Sequence, residues 1–498
     1  QRELRRVRIG WKRQLLRLLQ RLVWDAGTCG SIGSASRVDW NQGGGVVMAV
    51  KSASEDYNLD RPRAPQVSRV LTASKVFTGR RGGIVDDGAV VIVDGKVAWA
   101  GPRGQVPDEY AALPVEHHPG ATIMPGMVET HAHLGGFAYN AEPGVPDPEV
   151  HDSAWHALSA IKVARQLASM GVTTVQSLGA RNFTDVAARE AIFQGLAEGP
   201  RIVASGPQIT ATGGHSWPTG GEVDSITQIR HMVRSHHKAG VDVIKVMATG
   251  GFGTSGSAPW NAQFTTEELE VIVEEAHRLG KHTAAHAHGT QGIRRAVDAG
   301  FDYIAHASFV GENGVTAFDA DVADQMARQG TYVDLCSPPS YPAVEGETFT
   351  PHAKALYDHG VKVVVGHDIG AVYPPSAYRF GLMQMVASGL PVEEVLLAAT
   401  SRGAAAVGLA GVTGVLEPDY AADSLVVGGD PTERIEDLAN LEEIIIGGRT
   451  FHPDFMPEFD IAQFGSGDSG YPLVQPGGLN ARVTWIQRRQ RAELHPAD

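Results

Sequence analysis

Short apolar runs recur along this chain in two rhythms. From Val67 to His118, and again from Gly414 to Arg449, apolar and polar positions alternate between glycine turns, as in GAVVIVDGKVAWAG and EEIIIGGRTF. A period of two marks half-buried strands, and Asp94-Gly95 between two such runs predicts a tight hairpin. The two segments, residues 66–120 and 410–455, are expected to pair into one small β-sandwich module built from both ends of the chain. Between them the rhythm changes. Strands are predicted at Thr122–His131, Val172–Leu178, Arg201–Ser205, Val241–Ala248, His282–His288, Tyr303–Ala307, Thr331–Leu335 and Val361–His367, with amphipathic helices in the intervals. One of these helices, Thr265–Leu279, is expected to open with Thr266 as its cap and an acidic first turn. Eight strand–helix units within residues 121–409 predict an α/β fold, a (β/α)8 TIM barrel. In such a barrel, reactive groups gather at the C-terminal ends of the strands.

Composition narrows the class. Of 498 residues, 43% are apolar and 20% charged, ordinary values for a globular protein able to bury a large core. The two cysteines, Cys29 and Cys336, form no CxxC pair, which points to a reducing, cytoplasmic setting and away from thiolate-bound zinc. Net charge is −14, and residues 1–47 alone carry nine basic and three acidic side chains. The remainder is therefore at −20, a poor surface for nucleic acid or anionic membranes. No apolar stretch approaches the roughly 18 residues of a membrane span. Arg17 and Arg21 interrupt the apolar run near the start, so no secretory signal is expected. Residues 1–47 are expected to be a disordered or non-native leader, and 456–498 a C-terminal tail.

Polar outliers fall where a barrel would put its chemistry. His131 and His133 end the first strand, two residues apart and so on one side of it. Lys245 interrupts the apolar run of the fourth, VDVIKVMATGG; a buried ammonium there needs a partner or a modification. The fifth carries His282, His286 and His288, the sixth His306, and the eighth ends in His367 and Asp368. Taken singly, each is compatible with a structural hydrogen-bonded group. Together they form a nitrogen and carboxylate set suited to Zn²⁺, Co²⁺, Mn²⁺ or Ni²⁺. Two such ions would share a bridging hydroxide and polarise a carbonyl, with Asp368 as general base and then acid.

At these residues the chain resembles the metal-dependent amidohydrolase superfamily. The resemblance runs from Val67 to Arg449 through MPGMVETHAH, VIKVMATGG, AQFTTEELEVIVEEAHRLGKHTAAHAHGTQGI, AGFDYIAHASF, VKVVVGHD and GVLEPDYAADSLVV. It is nearest the branch of imidazolonepropionase-like proteins, Xaa-Pro and Xaa-Arg/Lys dipeptidases and the ochratoxin-hydrolysing amidase. The resemblance implies that His131, His133 and Asp368 bind one ion and that His286 and His306 bind a second. It implies too that Lys245, carboxylated on its side-chain nitrogen, bridges them. His288 would be a catalytic, substrate-contacting residue, and His215 in ATGGHSW would line the pocket.

Two departures stand out. Phe264 replaces the tyrosine of a QYS/QYT motif, and His367 replaces the threonine of a GTD motif and is expected to alter the pocket. Phe264, Trp217 and Trp260 suggest an apolar or aromatic acyl group, and Arg181 is the best candidate for a carboxylate clamp. The expected activity is hydrolysis of a C–N bond in an amide, N-acyl amino acid, carbamate or urea. Its rivals are a dipeptidase of Xaa-Pro or Xaa-Arg/Lys type and a cyclic-amide hydrolase. Deaminases with one metal lack the bridging lysine, and non-catalytic relatives typically lose ligands. The partner is a small molecule, and a homo-oligomer is compatible with the sequence.

Overall fold

The computed structural model describes residues 66–135, 152–252, 254, 256–311, 318–335, 352–371, 373–456 and 459. The expected leader, both cysteines and nearly all of the expected tail lie outside these residues. No helix among the described residues is long and apolar enough to cross a membrane.

The two terminal segments share one sheet. Strands β1 (Arg69–Phe77), β2 (Ile84–Val93), β3 (Lys96–Pro102) and β4 (Val115–Pro125) come from the first segment. At the Asp94-Gly95 hairpin both residues have positive φ, 49° and 77°, as a type I′ turn between twisted strands requires. The middle of the chain then supplies eight parallel strands, β5 (Met127–Ala132), β6 (Val172–Ser177), β7 (Arg201–Ala204), β8 (Val243–Met247), β9 (His282–Gly289), β10 (Tyr303–Val310), β11 (Tyr332–Val333) and β12 (Lys362–Val363). The chain returns to the first sheet with β13 (Ser424–Gly428), β14 (Leu441–Ile446) and β15 (Arg449–Phe451). The order is β15-β14-β13-β4-β1-β2-β3, with β13 antiparallel to β4. Among the described residues the composite module is thus one hydrogen-bonded seven-stranded sheet, where two facing sheets were expected. Leu71, Val90, Ile92, Ile123 and Val426 pack on one face, and Val70, Ala89 and Val91 on the other, as alternation demands.

The eight parallel strands form sheets ordered β12-β11-β10-β9-β8 and β5-β6-β7. Backbone hydrogen bonds cross both seams between them. Asp242 N donates to Ala204 O at 2.7 Å, and Ile209 N to Lys245 O at 2.9 Å. At the other seam Thr130 N donates to Val365 O at 3.0 Å, and His133 N to Ile369 O at 2.6 Å. Helices α1 (Ser153–Ser169), α2 (Thr184–Phe193), α3 (Ile226–Ala239), α4 (Thr266–Arg278), α5 (Thr290–Asp298), α6 (Ala320–Gln329) and α7 (Ala353–Asp358) follow the first seven strands in turn. Their apolar faces join the strands in the main core. The cap of α4 is Thr265, not Thr266. Glu268, three residues on, completes a capping box with Thr265, a reciprocity that Thr266 would lose.

The predicted first strand splits in two. Thr122–Pro125 belongs to β4 and pairs with β13, while Met127–Ala132 forms β5 and pairs with β6. Gly126 lies at the changeover, where any Cβ would meet Thr173 Oγ1 at 2.1 Å. One continuous apolar run therefore serves two sheets, and only the close approach to Thr173 marks the division. Gly126→Val is expected to destabilise the fold by about 1–3 kcal/mol through overpacking. Denaturant unfolding checks this; unchanged stability would show that the junction tolerates a side chain.

Candidate metal centre

The seam between β5 and the segment after β12 assembles the first group. His131 and His133 project together from the end of β5. Ile369 bridges to Ala132, which brings Asp368 alongside. Asp368 adopts a left-handed conformation, φ 61°, unusual for a residue with a side chain. Its Oδ1 lies 3.0 Å from His133 Nε2 and 3.5 Å from His131 Nε2. One donor atom from each of the three residues falls within 4.8 Å of the others.

The second group comes from β9 and β10. His286 and His288, two apart on β9, share a side of that strand, and His306 stands on the neighbouring β10. The register slips after His306, where His306, Ala307 and Phe309 have φ of 73°, 41° and 51°. Nitrogens of His286, His288 and His306 again lie within 4.8 Å of one another. The rings of His131 and His306 are 5.1 Å apart, so the two groups adjoin.

Electrostatics prepare both groups for a cation. Burial holds the proton affinities of His286 and His306 well below the ordinary histidine value, and neighbouring imidazoles and the Lys245 charge add to the effect. Burial lowers His133 as well, against the pull of Asp368. These imidazoles therefore stay neutral with lone pairs available. Burial would raise Asp368, but His131, His133 and Lys245 outweigh it and hold the carboxyl well below the usual carboxylate range. Lys245 on β8 is fully buried and acts electrostatically on members of both groups. Buried neutral imidazoles with a largely buried, ionised carboxylate fit a divalent ion of the zinc type.

The other expected residues separate. His215 sits beside the second group: its ring is 4.5 Å from that of His286, its Nδ1 is 2.9 Å from Thr254 Oγ1, and its backbone N–H donates to Gln263 Oε1. A Cβ on Gly251 would reach to 2.3 Å of His215 Nε2, so glycine there makes room for the ring. Phe252, not singled out in the sequence, stands edge-on to His288 at 4.9 Å. Phe264 is instead buried in the main core, and its carbonyl accepts from Arg295. Arg181 is partly buried in a 3-10 turn after β6, and Trp217 is well exposed. His282 lies at the opposite end of β9, 2.9 Å from Gln176 Oε1.

His367 does not enter the site. It is fully buried, with Nδ1 2.6 Å from Glu129 Oε2 and its ring against Tyr378. Its Nε2 would lie 1.7 Å from a Cβ on Gly381, so the ring occupies space that only glycine leaves. Glu129 also accepts from the backbone N–H groups of His131 and His367, tying β5 to the segment that carries Asp368. The expectation that His367 shapes the pocket is thus replaced by a brace behind it. Glu129 had a visible signal, a charge inside the apolar run MVETHA, the same signal that singles out Lys245.

Comparison with known proteins agrees with this geometry. The pattern of the amidohydrolase family matches residues 122–451. Ochratoxinase of Aspergillus niger is 28% identical over 402 residues, covering 70% of this chain and 78% of that protein. Imidazolonepropionase of Shewanella woodyi is 25% identical over 365 residues, covering 68% and 86%. A crystal structure of a Xaa-Pro dipeptidase with bound methionine in the active site superposes with a TM-score of 0.67. It is 26% identical and covers 77% of this chain and 99% of that one. The fold is α/β of the TIM-barrel type. A family pattern that spans both histidine groups, Lys245 and Asp368 establishes that the chain belongs to the amidohydrolase family.

Proposed function

We propose that this enzyme is a binuclear metal-dependent hydrolase that cleaves the C–N bond of an amide, N-acyl amino acid, carbamate or urea. The observation that carries this is the pair of adjoining buried donor groups, with Lys245 acting on both. In this reading His131, His133 and Asp368 hold one ion and His286 and His306 the other. Lys245, carboxylated by CO₂, joins them and ceases to be a buried cation. Zinc, cobalt, manganese or nickel suits the donors, and the bound pair lowers the pKa of the attacking water and polarises the carbonyl.

The chain's own groups do the rest. Asp368, held ionised, takes a proton from the attacking water and delivers it to the leaving nitrogen. His288, whose Nδ1 is 2.6 Å from Ser308 Oγ, turns its other nitrogen to the substrate carbonyl oxygen. His215 and Phe252 flank the acyl group; Phe252 takes the aromatic role assigned to Phe264 in the sequence. Arg181 remains the proposed clamp for a substrate carboxylate. The named relatives, ochratoxinase and imidazolonepropionase, support a small amide-type substrate. The bonds across both seams support closure of the eight strands into a (β/α)8 barrel spanning residues 121–409, beside the composite module. A cytoplasmic location, with homo-oligomers allowed, completes the proposal.

Fully loaded protein is expected to hold two divalent ions per chain by elemental analysis, and Lys245→Ala to lose metal and activity together. One ion at full activity would remove the binuclear reading, and a fully active, fully loaded Lys245→Ala would remove the lysine assignment. The likeness to a Xaa-Pro dipeptidase favours a second reading, peptide hydrolysis. A panel of aromatic amides and carbamates is expected to exceed Xaa-Pro and Xaa-Arg dipeptides in kcat/KM. A tenfold advantage for the dipeptides would replace the first reading with the second.

A further inference from the structure

The seventh strand supplies none of the proposed ligands, yet it places a charged side chain beneath both groups. Asp334 follows β11, in the run TYVDLC, and is fully buried. Its Oδ2 lies 3.1 Å from His131 Nδ1 and accepts from Tyr303 Oη at 2.6 Å. Its Oδ1 accepts, at 3.4 Å, from the backbone N–H of His306. One carboxylate therefore touches a histidine ring of the first group and the backbone of a histidine in the second.

We infer that Asp334 is a positioning residue for the metal centre, which orients His131 and holds the left-handed turn at His306, with Tyr303 as its support. This rests on the reading of His131 and His306 as metal ligands. An ionised carboxylate only accepts, so His131 must present its proton on Nδ1. That leaves the lone pair on Nε2, the nitrogen that faces Asp368. Hydrogen bonding to the remote nitrogen also makes the ligating one more basic. At His306, φ of 73° is costly for a residue with a Cβ, and the bond from its N–H to Asp334 opposes relaxation.

The surroundings are built for this carboxylate. Tyr303 Oη is 2.7 Å from Thr130 Oγ1, which also approaches Val365 O at 2.8 Å. The Thr130 hydroxyl donates to Val365 O, which also accepts from Thr130 N. Gly366 completes the fit: a Cβ there would come within 2.8 Å of Asp334 Cβ and 2.9 Å of His131 Cβ. Both oxygens of Asp334 face donors, so an asparagine of the same shape can satisfy only part of the set. Where its amide meets His131, it drives the proton onto Nε2 and blocks the ligating lone pair.

The test uses full-length protein stripped of metal, titrated with Zn²⁺ against a chromogenic chelator, alongside thermal melts of the metal-free forms. Asp334→Asn is expected to weaken Zn²⁺ binding by about 10–100-fold, the range for removing a hydrogen-bond partner of a metal ligand. Tyr303→Phe should weaken it less, in the same direction, while its metal-free melt stays close to that of the unaltered protein. Unaltered Zn²⁺ affinity in Asp334→Asn overturns the inference. If Asp334→Asn does not fold, Tyr303→Phe decides, and unaltered affinity there overturns it equally. Failure of the metal reading itself would show differently, as absence of saturable Zn²⁺ binding in the unaltered protein, and would take this inference with it.

Discussion

Removing ionisable groups from water is the constraint on which this site depends. The five histidines of the two donor groups, Lys245 and the carboxylates of Glu129 and Asp334 lie buried, with Asp368 largely so, where an isolated charge is costly. The protein meets that cost in two ways. Most imidazoles are kept neutral by burial, while against the cost of burial the nearby His131, the hydrogen bond from His133 and the nearby Lys245 keep Asp368 ionised. The other carboxylates, Glu129 and Asp334, are surrounded by donors: two backbone N–H groups and His367 for one, Tyr303, His131 and an N–H for the other. The framework of strands exists to hold these compensations in register.

Those compensations also explain why the backbone departs from regular strand geometry only at certain points. Asp368, in the segment after β12, and His306, where the register of β10 slips, take left-handed conformations, one in each donor group. Each departure turns a side chain out of the strand's own alternation and toward the shared centre. Strain of this kind persists only where the surroundings over-determine it, and here Ile369 bridging to Ala132 and Asp334 beneath His306 do so.

Much of this was legible in the sequence, for a physical reason. Strands in a parallel sheet covered on both faces are apolar throughout, so a polar residue within one is conspicuous. That contrast exposed His131, His133, Lys245, His286, His306 and Asp368. It applied equally to Glu129, two residues before His131, and to Asp334, which stands alone on its strand and gives no spacing pattern to follow. Other features left no local trace. The run TIMPGM from Thr122 to Met127 carries no change of rhythm at its division, and Gly126 is packed there against Thr173, distant in sequence. Phe264 and Phe252 are both phenylalanines in glycine-rich or polar surroundings, and only the path of the chain after β8 puts one in the core and the other against His288. Pairing of the two terminal segments was expected and is seen where β13 joins β4, but alternation identifies strands without naming their order in a sheet.

The pairing of β4 with β13 bears on how the protein is made. Pro125 faces Ser424, and Thr130 takes its backbone partner from Val365, so the segment bearing the first two histidines borders stretches made much later in synthesis. A nascent chain that has just exposed His131 and His133 has neither neighbour available. Pairings of such long sequence separation form slowly, and an unpaired apolar strand is open to misassociation in the interval. Assembly of the centre thus waits for the segment from Val365 to Ser424, and β4 and β5 lack these neighbours until it has been made.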